Sequence, residues 1–302
     1  MEYRVVATET WQGDGGEQVS FQGPLLAVNL SVDYRNKRGV LRNVALGIER
    51  GELVGLVGQS GSGKSTLALA LMGLLPVKGG EVSGEVVFNG KDLLRSSEKE
   101  LRAIRGKEIS IVLQSPLTAL NPALSIGAQL REAWKAHERG SAAQGTAVLR
   151  LAFESVSLPF DDEFLRRRPS QLSLGQGQRV CIAMATLHRP ALLLADEATS
   201  ALDPITQSEI LNLFTALNRE MGTAILYISH DLLSVAALCH RICILHEGQI
   251  VECGTPESIF HSPRHAYTRR LVAALPNPPV RRGSNEIDAK EPVSQVLEHS
   301  PF

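Results

Sequence analysis

Gly58-Gln59-Ser60-Gly61-Ser62-Gly63-Lys64-Ser65-Thr66 stands between an apolar segment, Leu53–Val57, and a helix-like run over residues 67–75. The glycines let successive backbone N–H groups turn inward, Lys64 supplies a positive charge, and Ser65 supplies a hydroxyl for a magnesium ion. A helix opening directly after such a loop adds free N–H donors and the positive end of its dipole, so the whole is a cradle for phosphates. The strand before and the helix after supply the context that a chance Gly/Ser turn lacks. This stretch predicts a bound nucleoside triphosphate.

Working outward, residues 25–34, 40–48, 53–57, 84–88 and 109–113 read as strands, from their β-branched content and from bounding turns such as Glu49-Arg50-Gly51-Glu52 and Asn89-Gly90. Between 115 and 172 the character turns helical, with spaced apolar positions and charged faces over 126–137 and 146–156. The earlier pattern then resumes with a helix over 177–188, an apolar strand over 191–195, a helix over 205–219 and a strand over 223–228. Strands that are apolar throughout and alternate with helices form a largely parallel sheet covered on both faces. The fold class is therefore α/β, with a helical lobe inserted into the core. Residues 1–23, rich in Gly, Gln and Glu, read as a flexible tail, and residues 277–302, Pro-rich and charged, as a loose end.

A chain of 302 residues buries a large core as one elaborated domain or two lobes. Its 31 Lys+Arg are balanced by 32 Asp+Glu, and no basic block exceeds Arg166-Arg167-Arg168, so nothing marks a dedicated nucleic-acid binder. The N-terminus lacks an apolar leader segment, and the apolar stretch 67–76 is too short to span a bilayer. A cytosolic protein is expected, with membrane work left to partners. The four cysteines, 181, 239, 243 and 253, make no disulfide framework in such a chain and fit a reducing compartment. Cys239-His240-x-x-Cys243-x-x-His246 has ligand-like spacing, but a strand over 241–245 sends successive side chains to opposite faces; the cysteines there read as small buried hydrophobes. His261 and His265 share helical spacing, yet Pro263 between them opposes a continuous helix.

A second chemical element is Leu192-Leu193-Leu194-Ala195-Asp196-Glu197. A buried strand ending in two carboxylates delivers them to the carboxyl edge of a parallel sheet, where ligands gather. Asp196 there holds magnesium, and Glu197 polarises an attacking water as general base.

Three further pieces follow in order. Leu172-Ser173-Leu174-Gly175-Gln176-Gly177-Gln178-Arg179 precedes the Asp-Glu strand, Ser200-Ala201-Leu202-Asp203 follows it, and Ile228-Ser229-His230-Asp231 ends the next strand. Together these motifs resemble the nucleotide-binding subunit of an ABC transporter, over roughly residues 25–276. The resemblance implies a RecA-like phosphate-loop core, an antiparallel β subdomain, an inserted helical subdomain over about 115–172, and ATP and Mg2+ as cofactors. Under it, Tyr34 is similar to the aromatic residue that stacks on adenine, and Gln114 to the glutamine that reaches magnesium and the attacking water. His230 is similar to the histidine on the γ-phosphate, and Asp203 to the acid that communicates across a dimer. Ser173, Gly175 and Gln176 are similar to the signature that meets the γ-phosphate held by a partner subunit, so that ATP joins two subunits head to tail.

The signature departs from the family pattern, with Leu174 where the first glycine is usual; a side chain there is expected to crowd the phosphate or forbid a positive φ. Ala198 replaces a proline. The segment 113–122 and the stretches 254–260, 262–268 and 271–276 are similar to oligopeptide, dipeptide and nickel importers, and carry no chemistry of their own; Ala266 stands where a proline is usual. The segment after Pro276 holds no cysteine, so no iron-sulfur cluster is expected. The resemblance implies transmembrane permease subunits, a second and non-identical ATPase subunit and, indirectly, an extracytoplasmic solute-binding protein as partners. It places the chain peripherally on the cytoplasmic face of the plasma (inner) membrane. The alternative readings are a soluble ABC-type clamp on nucleic acid or ribosomes, and a module that holds ATP without turnover. One set of motifs counts against the first, and an intact Glu197 and His230 against the second.

Overall fold

The computed structural model describes residues 23–275. The two tail readings therefore lie outside the described residues, apart from Gly23, and so does the segment without cysteines.

The chain begins with β1 (Leu26–Tyr34) and β2 (Lys37–Ile48), which pair antiparallel, and continues into β3 (Leu53–Val57) and α1 (Lys64–Leu71). After a 3-10 turn at Pro76–Lys78 come β4 (Gly80–Phe88), β5 (Lys91–Asp92), α2 (Glu98–Ile104) and β6 (Ile109–Val112). Four helices follow: α3 (Pro116–Ala119), α4 (Ile126–Lys135), α5 (Ala142–Ser155) and α6 (Asp162–Arg166). Then α7 (Leu174–Thr186), β7 (Leu192–Asp196), α8 (Pro204–Met221), β8 (Ala224–Ser229) and α9 (Leu232–Leu238) return to the sheet. The described chain closes with β9 (Arg241–His246), β10 (Gln249–Gly254), α10 (Pro256–His261) and α11 (Ala266–Ala273).

Two sheets result. One is antiparallel, in the order β2-β1-β4-β5; the other runs β10-β9-β3-β8-β7-β6 and is parallel except for its β10 edge. Every residue of β3, β7 and β8 is buried, as a strand covered on both faces requires. The side-chain period of two sorts them: Leu53, Val57, Leu193, Ala195, Ile225 and Tyr227 join the core under α4–α9, while Val54, Leu56, Leu192, Leu194, Leu226 and Ile228 face α1 and the antiparallel sheet. Helices α4, α5 and α6 bury Ile126, Leu130, Phe153 and Phe164 in that first core, to which α7 also contributes, and Phe153 meets Phe160 and Phe164 edge-on.

Helix α7 starts three residues earlier than the sequence pattern suggests. Ser173 Oγ accepts from Gln176 N at 3.2 Å and Gln176 Oε1 accepts from Ser173 N at 3.1 Å, a reciprocal cap that outweighs the helix-weakening Gly175 and Gly177. Leu174 is thus the first helical residue, with no positive φ, which corrects the expected backbone conflict there. His261 closes α10 and His265 caps α11, so Pro263 does separate them. The cysteine reading needs one correction: antiparallel register sets Cys243 opposite Cys253, with Cα atoms 4.2 Å apart, and they are joined as a disulfide. Sequence alternation within one strand says nothing about the neighbour across the ladder. Cys181 and Cys239 are free thiols, as read, and both are buried, the burial having been expected for Cys239.

Candidate functional site

Strand β3 delivers the chain to the loop 58–63 at the carboxyl edge of the parallel sheet, and α1 opens at Lys64. Gly63 caps α1 at φ 110°, and a Cβ there would meet Leu41 and the Val40 carbonyl of β2. Gly58 is packed as closely, since its Cβ would collide with the Leu245 carbonyl and with Ser62 Oγ. Gly61, at φ 79°, has open space beside it. Ser62 N donates to Gln59 O at 3.2 Å, which turns the loop around Ser60.

Lys64 lies 6% exposed with its Nζ donating to Gly58 O at 2.7 Å and Gln59 O at 3.1 Å. The same Nζ stands 3.5 Å from Glu197 Oε1, and Glu197 Oε2 lies 2.6 Å from His230 Nδ1. Three residues from β3–α1, the end of β7 and the end of β8 thus form a continuous chain of contacts, because parallel pairing sets Asp196 beside Ile228 and Val57 beside Ser229. Glu197 holds left-handed backbone at φ 52°, tied by its N–H to Ile228 O.

Asp196 closes β7, 7% exposed, with its Oδ1 buried and lacking a hydrogen-bond partner. Burial pushes its carboxyl up; the Ser65 hydroxyl beside it and Lys64 oppose that, while the neighbouring Glu197 charge adds to it. A buried carboxylate oxygen left orphaned next to a hydroxyl is what a hard cation completes, so these residues fit a magnesium ion.

The other sequence-predicted residues stand around this centre. Gln114, just after β6, donates from Nε2 to Ser200 Oγ at 3.1 Å. Asp203 caps α8, accepting from Ile205 N, Thr206 N and Thr206 Oγ1, and the Thr206 hydroxyl holds its carboxyl below the usual range. Ser173, Gly175 and Gln176 open α7, and Gly175 packs against Thr206, which places the two helix starts side by side. Tyr34 ends β1 with its ring beside Gly80. Ser60 and Thr66 lie in the loop and the first turn of α1.

Two contacts escaped the sequence reading. Ser200 opens the motif that ends at Asp203, and its meeting with Gln114 carries no local signal. Tyr267, in the C-terminal stretch read as having no chemistry, stacks its ring on His246 at the end of β9, with its hydroxyl buried and lacking a hydrogen-bond partner.

A phosphate loop on a parallel sheet, faced by two carboxylates at the end of β7 with β8 between the two strands, defines the phosphate-loop nucleoside-triphosphatase fold. Residues 41–200 match the family model of the ABC transporter, and the chain belongs to that family. It is 42% identical over 250 residues to the dipeptide transport ATP-binding protein DppD of Escherichia coli (strain K12), covering 82% of this chain and 76% of the relative. It is 40% identical over 264 residues to the glutathione import ATP-binding protein GsiA of Shigella dysenteriae serotype 1 (strain Sd197), covering 84% of this chain and 42% of that protein. The chain therefore matches about two fifths of the length of the glutathione-import relative. Among solved structures, the dimeric post-hydrolysis state of the ATP-binding cassette MJ0796 bound to ADP and Pi is 27% identical with a TM-score of 0.66, over 76% of this chain and 98% of that one.

Proposed function

We propose that this chain is the ATP-binding and ATP-hydrolysing subunit of an importer for peptides or a similar small solute, nickel among them. The observation that carries this is the chain of contacts Lys64–Glu197–His230 beside the orphaned Asp196 oxygen, at the open edge of the phosphate loop. The relatives named for dipeptide transport and glutathione import support the solute class.

The N–H groups of the loop and of the first turn of α1 receive the β- and γ-phosphates, and Lys64 Nζ pairs with their charge. Tyr34 stacks on the adenine. Glu197 takes a proton from the attacking water, the water oxygen bonds to the γ-phosphorus as the bond from that phosphorus to the β–γ bridging oxygen breaks, and ADP leaves; His230 orients Glu197 and contacts the γ-phosphate. Ser65, Asp196 and Gln114 would hold magnesium, which would supply neutralising charge at the phosphate oxygens. Ser173, Gly175 and Gln176 meet the nucleotide of a second, non-identical ATPase subunit, with Asp203 at the same interface.

Residues 24–276 form the ATPase unit in this reading, with 115–172 as its helical subdomain and 254–276 as an importer-type extension. The exposed Leu113 and Leu117 flank Gln114 and give a permease helix an apolar seat whose movement would be felt at the site. No helix among the described residues is long and apolar enough to cross a membrane, so attachment to the cytoplasmic face of the inner membrane rests on permease subunits. No nucleic-acid partner is proposed.

The test is to purify tagged Glu197→Gln protein from native membranes with ATP and identify its companions by mass spectrometry. Two multi-span permeases with a different ATPase subunit support the reading. Recovery only from the soluble fraction, with ribosomal or DNA-repair proteins, would sink it in favour of a clamp.

A further inference from the structure

The Glu197 carboxylate is placed by the short loop that follows β7, and that loop is held at two levels. On the exposed side, Ser200 Oγ accepts from Gln114 Nε2 at 3.1 Å and donates to Glu197 O at 3.1 Å. Beneath it, Thr199 is buried, and its Oγ1 shares a 2.7 Å hydrogen bond with the buried Tyr227 hydroxyl, either oxygen being able to donate. Water replaces an exposed contact at little cost, whereas a buried hydroxyl that loses its partner bears the full penalty of its desolvation. The lower contact is therefore the one that decides the pose of the loop.

Strand register explains how a residue of β8 reaches this loop. Tyr227 stands opposite Ala195 of β7, one pair before Asp196 meets Ile228. Its ring packs in the core with Phe214 of α8, the centroids 6.1 Å apart and the planes tilted by 55°. From there its hydroxyl meets Thr199, three residues beyond the end of β7. The next residue of β8, Ile228, accepts the Glu197 N–H at 2.9 Å. Two consecutive residues of β8 thus hold Glu197 and Thr199, on either side of Ala198. Thr199 O in turn accepts from Leu202 N at 3.1 Å, and Glu197 O from Ser200 N at 3.1 Å, so the loop is two overlapping turns. Both hydroxyl-bearing residues fall just outside the motifs at 200–203 and 228–231.

We propose that Tyr227 is a positioning residue for Glu197: its buried hydroxyl, bonded to Thr199, holds the loop after β7 so that the left-handed backbone at Glu197 aims the carboxylate over the phosphate loop. A left-handed non-glycine residue persists only where its surroundings over-determine it, and Tyr227 supplies one of those determinants from inside the core. This rests on the reading of Glu197 as general base.

Tyr227→Phe keeps the ring and its packing on Phe214 and removes the hydroxyl alone. kcat for ATP, measured on the full chain in its membrane assembly, is expected to fall about three- to thirtyfold, with KM for ATP within about twofold of the parent. ADP affinity by calorimetry is expected to stay unchanged, because the phosphate loop is untouched. Thr199→Val is expected to give the same fall, and the double variant no more than either alone, since one shared bond is lost once. Thr199→Ser keeps a hydroxyl and is expected to retain kcat within about twofold of the parent. A merely structural tyrosine would lower only the melting temperature. A Tyr227→Phe kcat equal to the parent's, measured well below that temperature, overturns the proposal, as do falls that multiply in the double variant. Glu197→Gln separates it from the underlying reading. If that variant keeps the parent's kcat, the general-base assignment is wrong and the positioning role falls with it; if it is inactive while Tyr227→Phe turns over normally, the positioning role alone fails.

Discussion

Glu197 holds a left-handed backbone at φ 52°. That conformation costs a non-glycine residue about 1–3 kcal/mol and persists only where the surroundings over-determine it. Here its N–H donates to Ile228 O, its carbonyl accepts from Ser200 N and Oγ, and its carboxylate spans Lys64 and His230. The strain aims one carboxylate at the space over the phosphate loop. We expect Glu197→Gln to lower kcat for ATP about 10²–10⁴-fold, the usual range for loss of a general base. Nucleotide binding should survive, because Lys64 and the loop are untouched; phosphate release and ADP titration measure the two. Lys64→Met is expected to do the reverse first, weakening ADP by about tenfold or more through loss of a charge-assisted contact. An unchanged ADP affinity there would remove Lys64 from the phosphate site. Both residues were legible in the sequence because strand, loop and helix are contiguous. The His230 contact to Glu197 was not derivable from spacing, since it exists only through the pairing of β7 with β8.

Helix α7 joins two halves of the molecule. Arg179 Nη1 donates to Val156 O at 2.8 Å, capping the end of α5, and Arg179 Nη2 to Glu209 Oε2 at 2.9 Å on α8. One guanidinium thus ties the helices between β6 and α7 to the sheet side of the fold. Hydrogen bonds to a charged group are worth about 1.5–3 kcal/mol, discounted here because Glu209 is half exposed. We expect Arg179→Ala to cost about 1–2 kcal/mol, read as a fall of several degrees in melting temperature. Leu174→Gly tests the other end of the same helix. Leu174 is helical and unstrained, so glycine relieves no backbone conflict and costs about 0.5–1 kcal/mol of helix stability. ATPase activity that rises on this change would support the expectation that the Leu174 side chain crowds the phosphate, which the helical backbone leaves open. The element boundaries show why local pattern misleads: two glycines argue for a late start, and a capping box three residues upstream decides otherwise.

At the scale of the whole molecule, the sulfur chemistry separates what composition can say from what topology adds. Burial pushes the Cys181 thiol up to about 12 and the Cys239 thiol higher still, so neither presents a thiolate to a reagent. Both pack as small buried hydrophobes, which the sequence suggests for Cys239. Cys243 and Cys253 are different only because β10 turns back antiparallel on β9, a long-range register that no single-sequence period encodes. Of that pair, Cys253 is exposed on the edge strand and Cys243 is fully buried against the second core. A disulfide is unusual in a reducing compartment, and its exposed sulfur is the one a thiol can attack. We expect the native, unreduced protein to take up no alkylating label. Brief mild reduction should then add one label, at Cys253, with Cys243, Cys181 and Cys239 reacting only after unfolding. Peptide mass spectrometry reads each state. Label on Cys253 without any reductant would mean that the pair is open in the purified protein, and that the reducing-compartment reading describes all four cysteines.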